Sequence, residues 1–290
     1  MRWGTTSNPE TKPQNSKKYI MTKVIVAGAA GRMGLRISYM VGQNPDLELV
    51  AAFEQEGSPA VGKDVGENGG FGTTGVRISA GLESVIDQGD VIIDFTFHKA
   101  TMEFAKIAAA HKRAMVIGTT GLSSEDLATL KTLADGAFPC VQAPNMAVGV
   151  NVLFKLIEKT AGVLGDAYDV EIVEAHHRMK KDAPSGTALK LGEMAASGLG
   201  RDLAEVGVYE RNGIIGERTD TEIGIQTIRA GDIVGEHTVY FAGAGERIEI
   251  THRAHSRDNF ARGAALAAAW ITNKDNGMYT MFDVLGLDDF

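Results

Sequence analysis

The sequence predicts an α/β chain: a doubly wound parallel sheet followed by a smaller α+β domain with a mixed, largely antiparallel sheet. Three observations carry that expectation. From residue 23 to about 145, short apolar runs alternate with stretches of helical spacing, the pattern of parallel strands joined by helical crossovers. The first run, KVIVAG, leads straight into a glycine turn, GAAGRMG, that opens a helix. Past Met146 the order changes, and four runs of β character follow one another between Val206 and Thr251, separated by glycine-bearing turns that favour antiparallel pairing.

Each element follows in order. KVIVAG (23–28) is a buried strand, GRMGLRISYMVG a helix, and LELVAAFE (47–54) a second strand. Residues 55–80 are rich in glycine and are expected to form a long, weakly ordered loop. VIIDF (91–95) is another strand, and Thr101 to His111 has helical spacing. AMVIGTTG (114–121) runs from a strand into a turn, and Ser123 or Ser124 caps the helix SEDLATLKTLAD, whose acids lie in the first turn. FPCVQAPN (138–145) is the last strand of this set. A helix over 148–164 gathers Val152, Leu153, Leu156, Ile157 and Leu164 on one side. YDVEIVE (168–174) alternates as a half-buried strand, and a helix then runs to about Ser197. VGVYE, GIQTIRA, HTVYFA and RIEITH read as strands, and RDNFARGAALAAAWITN (257–273) as a buried, alanine-rich helix. The expected division is a polar, disordered arm over 1–20, a dinucleotide-binding domain over 21–146, a second domain over 147–256, and a C-terminal helix and tail over 257–290.

Charge and cysteine usage narrow the function. The 290 residues carry a net charge of −8, which argues against bulk binding to nucleic acid or to an anionic membrane. An anionic ligand therefore needs a local basic site. No apolar run approaches the roughly 18 residues of a membrane span. The polar start, with Pro9 and Pro13, lacks the apolar centre of a signal peptide; a transit-type extension is the weaker alternative. The single cysteine, Cys140, cannot form an internal disulfide, which points to a reducing, cytoplasmic setting. Its place in a strand-like run reads as a small buried hydrophobe rather than a nucleophile.

The glycine turn is the first candidate site. Gly28, Gly31 and Gly34 punctuate Ala29, Ala30, Arg32 and Met33 between a strand and a helix, the setting of a Rossmann-type dinucleotide site. There the backbone approaches a pyrophosphate closely and the helix N-terminus attracts its charge. Glu54, at the end of the second strand, is placed to bind ribose hydroxyls. Gln55 follows it and supplies no charge for the 2′-phosphate of NADP, although Arg32 or Lys63 can. NADH is the favoured cofactor and NADPH stays open. Gly118, Thr119 and Thr120, with Ala143, Pro144, Asn145 and Met146, end two further strands where the nicotinamide end is expected. The residues alone leave two ordinary turns as an equal reading.

The second candidate is EAHHRMKKDAPSGTA (174–188). His176, His177 and Lys180 lie within one basic turn, and Ser185, Gly186 and Thr187 open a helix. Cationic donors and a helix start each attract a carboxylate, so a dicarboxylate would use both. His176 and Lys180 are also candidate proton donors. Adjacent histidines on a strand face opposite ways, which gives His176 and His177 different roles. Zinc ligation is weakly supported, because neither a cysteine nor an H-x-x-x-H pair accompanies them, and no metal is expected.

The run from Glu171 to Ala188 resembles the signature of the dihydrodipicolinate reductase family, also called 4-hydroxy-tetrahydrodipicolinate reductase. GAAGRMG, GTTG, APNMAVGVN, RAGDIVGEH (229–237) and ITHRAHSR (250–257) extend the resemblance over nearly the whole chain from Met21. It implies an NADH- or NADPH-dependent reduction of a cyclic dicarboxylate in diaminopimelate and lysine biosynthesis. It implies His176 as proton donor/acceptor and Lys180 as proton donor, with His177, Ser185, Gly186 and Thr187 at the substrate. Nucleotide contacts would fall on 28–33, Glu54, 118–120 and 143–146. A homotetramer built through the C-terminal sheet, and return of the final helix to the first domain, are also implied. Gln55 departs from members with an arginine there, which puts strict NADPH use in doubt. Two rivals remain. An amino-acid dehydrogenase acting on aspartate shares the glycine turn but gives no reason for H-H-x-x-K with P-S-G-T. A dinucleotide-binding redox sensor would lack turnover, and no basic helix-turn-helix accompanies it.

Overall fold

The computed structural model describes residues 21–288, so the arm expected over 1–20 lies outside the described residues. β1 (Thr22–Ala27) passes through the glycine turn to α1 (Arg32–Gln43) and β2 (Leu47–Glu54). α2 (Val65–Gly69) and β3 (Ile78–Ala80) follow. The alternation continues with β4 (Val91–Asp94), α3 (His98–His111), β5 (Ala114–Ile117), α4 (Ser124–Ala137) and β6 (Pro139–Gln142). β4 and β5 are buried at every residue, because helices cover both faces of the sheet. Val24 and Val26 face one core with Ile37 and Val41 of α1. Ile25 and Ala27 face the other with Met102 of α3 and Leu130 of α4. The strand period of two thus divides a single apolar run between two cores. Cys140 is fully buried on β6, and burial pushes its thiol up, away from reactivity. Ser123 caps α4 in a reciprocal box with Asp126.

Residues 55–80 are ordered, not a loose loop. The Asp64 carboxylate accepts from the amides of Gly66, Glu67, Thr74 and Gly75 and from the Thr74 hydroxyl. Burial would raise this carboxyl, but those bonds hold it down at about 2. One acid therefore fixes α2 and carries the chain into β3 at the sheet edge.

The second unit begins with α5 (Val148–Leu164) and β7 (Asp169–His176), then α6 (Gly186–Gly198), α7 (Leu203–Val206) and β8 (Gly207–Val208). β9 (Ile223–Arg229), β10 (Gly235–Gly243) and β11 (Glu246–Ala254) complete a mixed five-stranded sheet of order β11-β10-β7-β9-β8. β10 runs antiparallel to both β11 and β7, whereas β9 runs parallel to β7 and β8. The crossover through α6 and α7 supplies the length that a parallel return requires. The VGVYE run is strand only at 207–208, because Leu203–Val206 turns helical behind an Asp202 cap. Val170, Ile172, Ile225, Val239 and Phe241 form the inner face under α5 and α6.

α8 (Asp258–Ile271) then returns to the first unit and packs on α1, where Arg36 grips Asp258 at 2.6 and 2.7 Å. β12 (Gly277–Tyr279) and α9 (Met281–Leu285) were not expected from the sequence. β12 pairs with β6, which makes the first sheet seven parallel strands in the order β12-β6-β5-β4-β1-β2-β3. A three-residue strand that starts on glycine carries too little periodicity to be read in advance.

Candidate active site

The glycine turn stands at the carboxyl end of β1, next to the reversal of strand order between β1 and β4. Gly28 has φ +60°, and a Cβ there would sit 2.8 Å from Thr96 Cγ2. A Cβ on Gly34 would come within 2.1 Å of the Gly28 carbonyl oxygen, so α1 reaches the strand only as glycine. The Gly31 cap contributes no side-chain bond to the helix, and no acid lies in the first turn. The first amides of α1 thus point outward beside a clear backbone, which fits a dinucleotide pyrophosphate. Glu54 Oε1 accepts from the Ala30 amide at 2.9 Å, which ties the end of β2 to the turn. Gln55 is exposed just beyond it.

Between the two units lies a cleft of about 590 Å³. Arg32, Met33, Thr120, Pro144, Asn145 and Met146 line it from the first unit. His176, His177, Lys180, Ser185, Gly186 and Thr187 line it from the second. The glycine turn, through Arg32 and Met33, and the 174–188 stretch therefore share one cleft. Gly28–Gly31, Gly34, Glu54, Gln55, Gly118, Thr119 and Ala143 do not line this cleft. Thr119 is buried, and its hydroxyl accepts from the Thr96 amide at 3.0 Å, so its side chain is already engaged. Gly118 packs on the Phe95 ring. Asn145 joins the units directly, donating from Nδ2 to the Thr187 hydroxyl at 3.1 Å.

The substrate side grows out of β7. Its inward positions are Val170, Ile172, Glu174 and His176, so the last two place polar side chains where the pattern calls for core. Glu174 is fully buried and fully used. Its Oε2 lies 2.6 Å from His176 Nδ1, and Oε1 accepts from the Ser185 amide at 3.0 Å and the Thr227 hydroxyl at 3.1 Å. Arg229 donates to both oxygens at 2.7 and 2.8 Å. Burial alone would raise this carboxyl, but the bonds from His176, Arg229 and Ser185 outweigh it and hold the group well below the ordinary carboxylate range. His237 of β10 stands edge-on to His176, with ring centroids 5.1 Å apart. Burial, then the neighbouring His176, pushes His237 down to about 3, so it stays neutral. Its Nε2 lies 3.0 Å from Ser185 Oγ, which accepts from the Ala188 amide and caps α6.

The cleft is basic. Lys180, Lys190, Arg32 and Arg257 line it, and Asp182 is the one carboxylate among the described lining residues. Lys180 Nζ lies 2.8 Å from Asp182 Oδ2. Burial would raise Asp182, and the bond from Lys180 lowers it on balance. Such a lining suits a dianion, with imidazole and ammonium groups at hand as proton donors. Lys190, Arg257 and the Glu174–Arg229 pair had no role assigned from sequence. Lys190 falls four residues after Gly186 on the same face of α6, a spacing that identifies it. Arg257 and Arg229 lie within the motif stretches, but only the fold shows what they face.

The chain is similar to known proteins along nearly its whole described length. Models described as "Dihydrodipicolinate reductase, N-terminus" and "Dihydrodipicolinate reductase, C-terminus" match residues 22–146 and 149–285. The chain is 71% identical over 269 residues to 4-hydroxy-tetrahydrodipicolinate reductase of Desulfotalea psychrophila, covering 93% of this chain and 100% of that one. It is 55% identical over 266 residues to the enzyme of that name from Syntrophus aciditrophicus, covering 92% and 99%. Among solved structures, dipicolinate-bound dihydrodipicolinate reductase from Paenisporosarcina sp. TG-14 aligns with a TM-score of 0.67 at 25% identity, over 91% of this chain and 99% of that one. With both family models matching, over residues 22–146 and 149–285, and relatives at 71% and 55% identity aligned along nearly their whole length, the chain belongs to the dihydrodipicolinate reductase family.

Proposed function

We propose that this chain catalyses the NAD(P)H-dependent reduction of 4-hydroxy-tetrahydrodipicolinate to tetrahydrodipicolinate in diaminopimelate and lysine biosynthesis. The observation that carries the proposal is the meeting of His176, Lys180, Gly186 and Thr187 with Arg32, Met33 and Asn145 in one basic cleft. Residues 21–146 bind the dinucleotide, 147–256 hold the substrate and form a homotetramer, and 257–290 brace the first unit. The edge strand β11 supports the tetramer reading, because it pairs with β10 on one side and presents the backbone groups of its alternate residues at the open edge of the sheet. A cytoplasmic setting fits the single buried thiol.

The nicotinamide, when bound, supplies the hydride to a ring carbon. The protein does the rest. Arg32 and Met33 at the start of α1 and the turns ending at Thr120 and Met146 hold the dinucleotide, with the free oxygen of Glu54 at the ribose. His177, the Ser185–Thr187 helix start and the nearby cations hold the two carboxylates and stabilise the negative charge that develops as hydride arrives. The 4-hydroxyl of the precursor leaves as water, and His176 or Lys180 gives the proton that accompanies the hydride, so one hydride and one proton are added for each water lost. Glu54 followed by the neutral Gln55 favours NADH, with NADPH accepted through Arg32 or Lys63. Calorimetric titration with dipicolinate in the presence of NADH tests the site. Binding is expected to weaken about tenfold or more in Thr187→Val, which removes a bond to a charged group. No binding to the wild-type protein would overturn the assignment.

A further inference from the structure

Glu174 lies between the two halves of the substrate site. One of its oxygens meets His176, one of the two proton donors of the proposed reaction, and the other takes the amide of Ser185, where the substrate turn begins. Arg229 reaches across from β9 to fix both oxygens and also donates to the Asp182 carbonyl at 2.7 Å, at the far end of the basic loop. An ionised carboxylate only accepts hydrogen bonds, so the 2.6 Å contact requires a proton on His176 Nδ1. Nε2 is then the ring nitrogen left for the cleft. His176 lines the cleft, and the neighbour on β10 is Gly235, where a Cβ would crowd Nε2 at 3.0 Å, so glycine leaves that nitrogen unobstructed.

We infer that Glu174 is a positioning residue of the reduction: held by Arg229, it fixes His176 with its proton on Nδ1 and Nε2 toward the substrate, and it locks the Ser185 turn at the distance this donor requires. A neutral ring in that tautomer takes a proton at Nε2, and the doubly protonated ring hands it on while Glu174 offsets the charge. The titratable groups that face the pair are Arg229 from β9, His237 from β10 with His252 behind it on β11, and Lys180 and Asp182 from the basic loop. His237 stays neutral, so within this edge-to-face pair of rings the proton has one carrier.

This inference rests on the reductase reading, and the two fail differently. Wild-type protein with no synthase-dependent oxidation of NAD(P)H sinks the reading itself. Given wild-type turnover, Glu174→Gln decides the inference, because it keeps the shape and removes the charge. The expected result is a fall in kcat of about ten- to a hundredfold, the range seen when the partner orienting a functional histidine is lost. The alkaline limb of kcat is expected to move to lower pH by about one unit or more, with NADH affinity unchanged. Glu174→Asp, which restores the carboxylate, is expected to return the limb toward its wild-type position. A lower kcat with an unmoved limb would overturn the inference and leave Glu174 a purely structural role. Should the variants not fold, nitrogen-15 NMR of the wild-type ring decides. Signals of neutral His176, assigned by their loss in His176→Gln, are expected to show the proton on Nδ1. A proton on Nε2 would overturn the inference.

Discussion

Arg229→Met removes the charge facing Glu174 while keeping most of the aliphatic stem. The Glu174 side chain is 0% exposed and that of Arg229 19%, so solvent cannot replace the lost partner. Stripping one member from a buried pair costs about 3–5 kcal/mol, because the remaining charge is left uncompensated. His176, Ser185 and Thr227 still bond Glu174, which places the expected loss near the lower end, about 3 kcal/mol. For a chain of this size that corresponds to a fall in Tm of roughly 6 °C. The pH dependence gives the sharper test. In the wild-type protein the carboxyl is held below its ordinary 4.5, so its contribution is present above that pH and lost as pH falls below it. Without Arg229, burial dominates and raises the carboxyl, so the penalty is full at neutral pH and shrinks as the acid protonates. Thermal unfolding followed by circular dichroism should show the gap between the two proteins closing from neutral pH to about pH 4. An unchanged Tm, or a gap of constant size across that range, would refute the reasoning.

Three further outcomes follow from the geometry. Lys180→Ala should lower turnover by about a hundredfold or more while leaving NADH affinity near wild type, since Lys180 lies outside the glycine turn. Comparing coupled oxidation with a fluorescence titration of NADH checks this, and equal loss of both would remove Lys180 from the chemistry. Gly235→Ala should cut kcat about tenfold through displacement of the His176 ring, a small misplacement of a reacting group, with little change in fold by circular dichroism. Cys140 should resist a thiol reagent in the folded protein and react fully in denaturant; rapid reaction of the native thiol would contradict its burial.

What was legible in the sequence was local. The turn at Gly28–Gly34 announces itself because the strand, the glycines and the helix are contiguous, and the 174–188 run because its cations and helix start fall within one turn of each other. Elements whose order comes from distant bonds were not legible. Residues 55–80 read as loose because their glycines are visible and the bonds converging on Asp64 are not. Arg229 stands 55 residues from Glu174, and no spacing rule connects them. Thr119 shows the same limit from the other side: its place at a strand end is visible in the sequence, and the bond its hydroxyl accepts from the Thr96 amide is not. The three residues of β12 are strand only because β6 offers an edge.

The most direct measurement is oxidation of NADH and NADPH with substrate generated in place from pyruvate and aspartate semialdehyde by a dihydrodipicolinate synthase. Rapid oxidation that depends on the synthase is expected, with NADH well used because Gln55 offers no charge to a 2′-phosphate. Folded protein that binds NADH and dipicolinate but oxidises neither cofactor would contradict the assignment of this cleft as a reductase site.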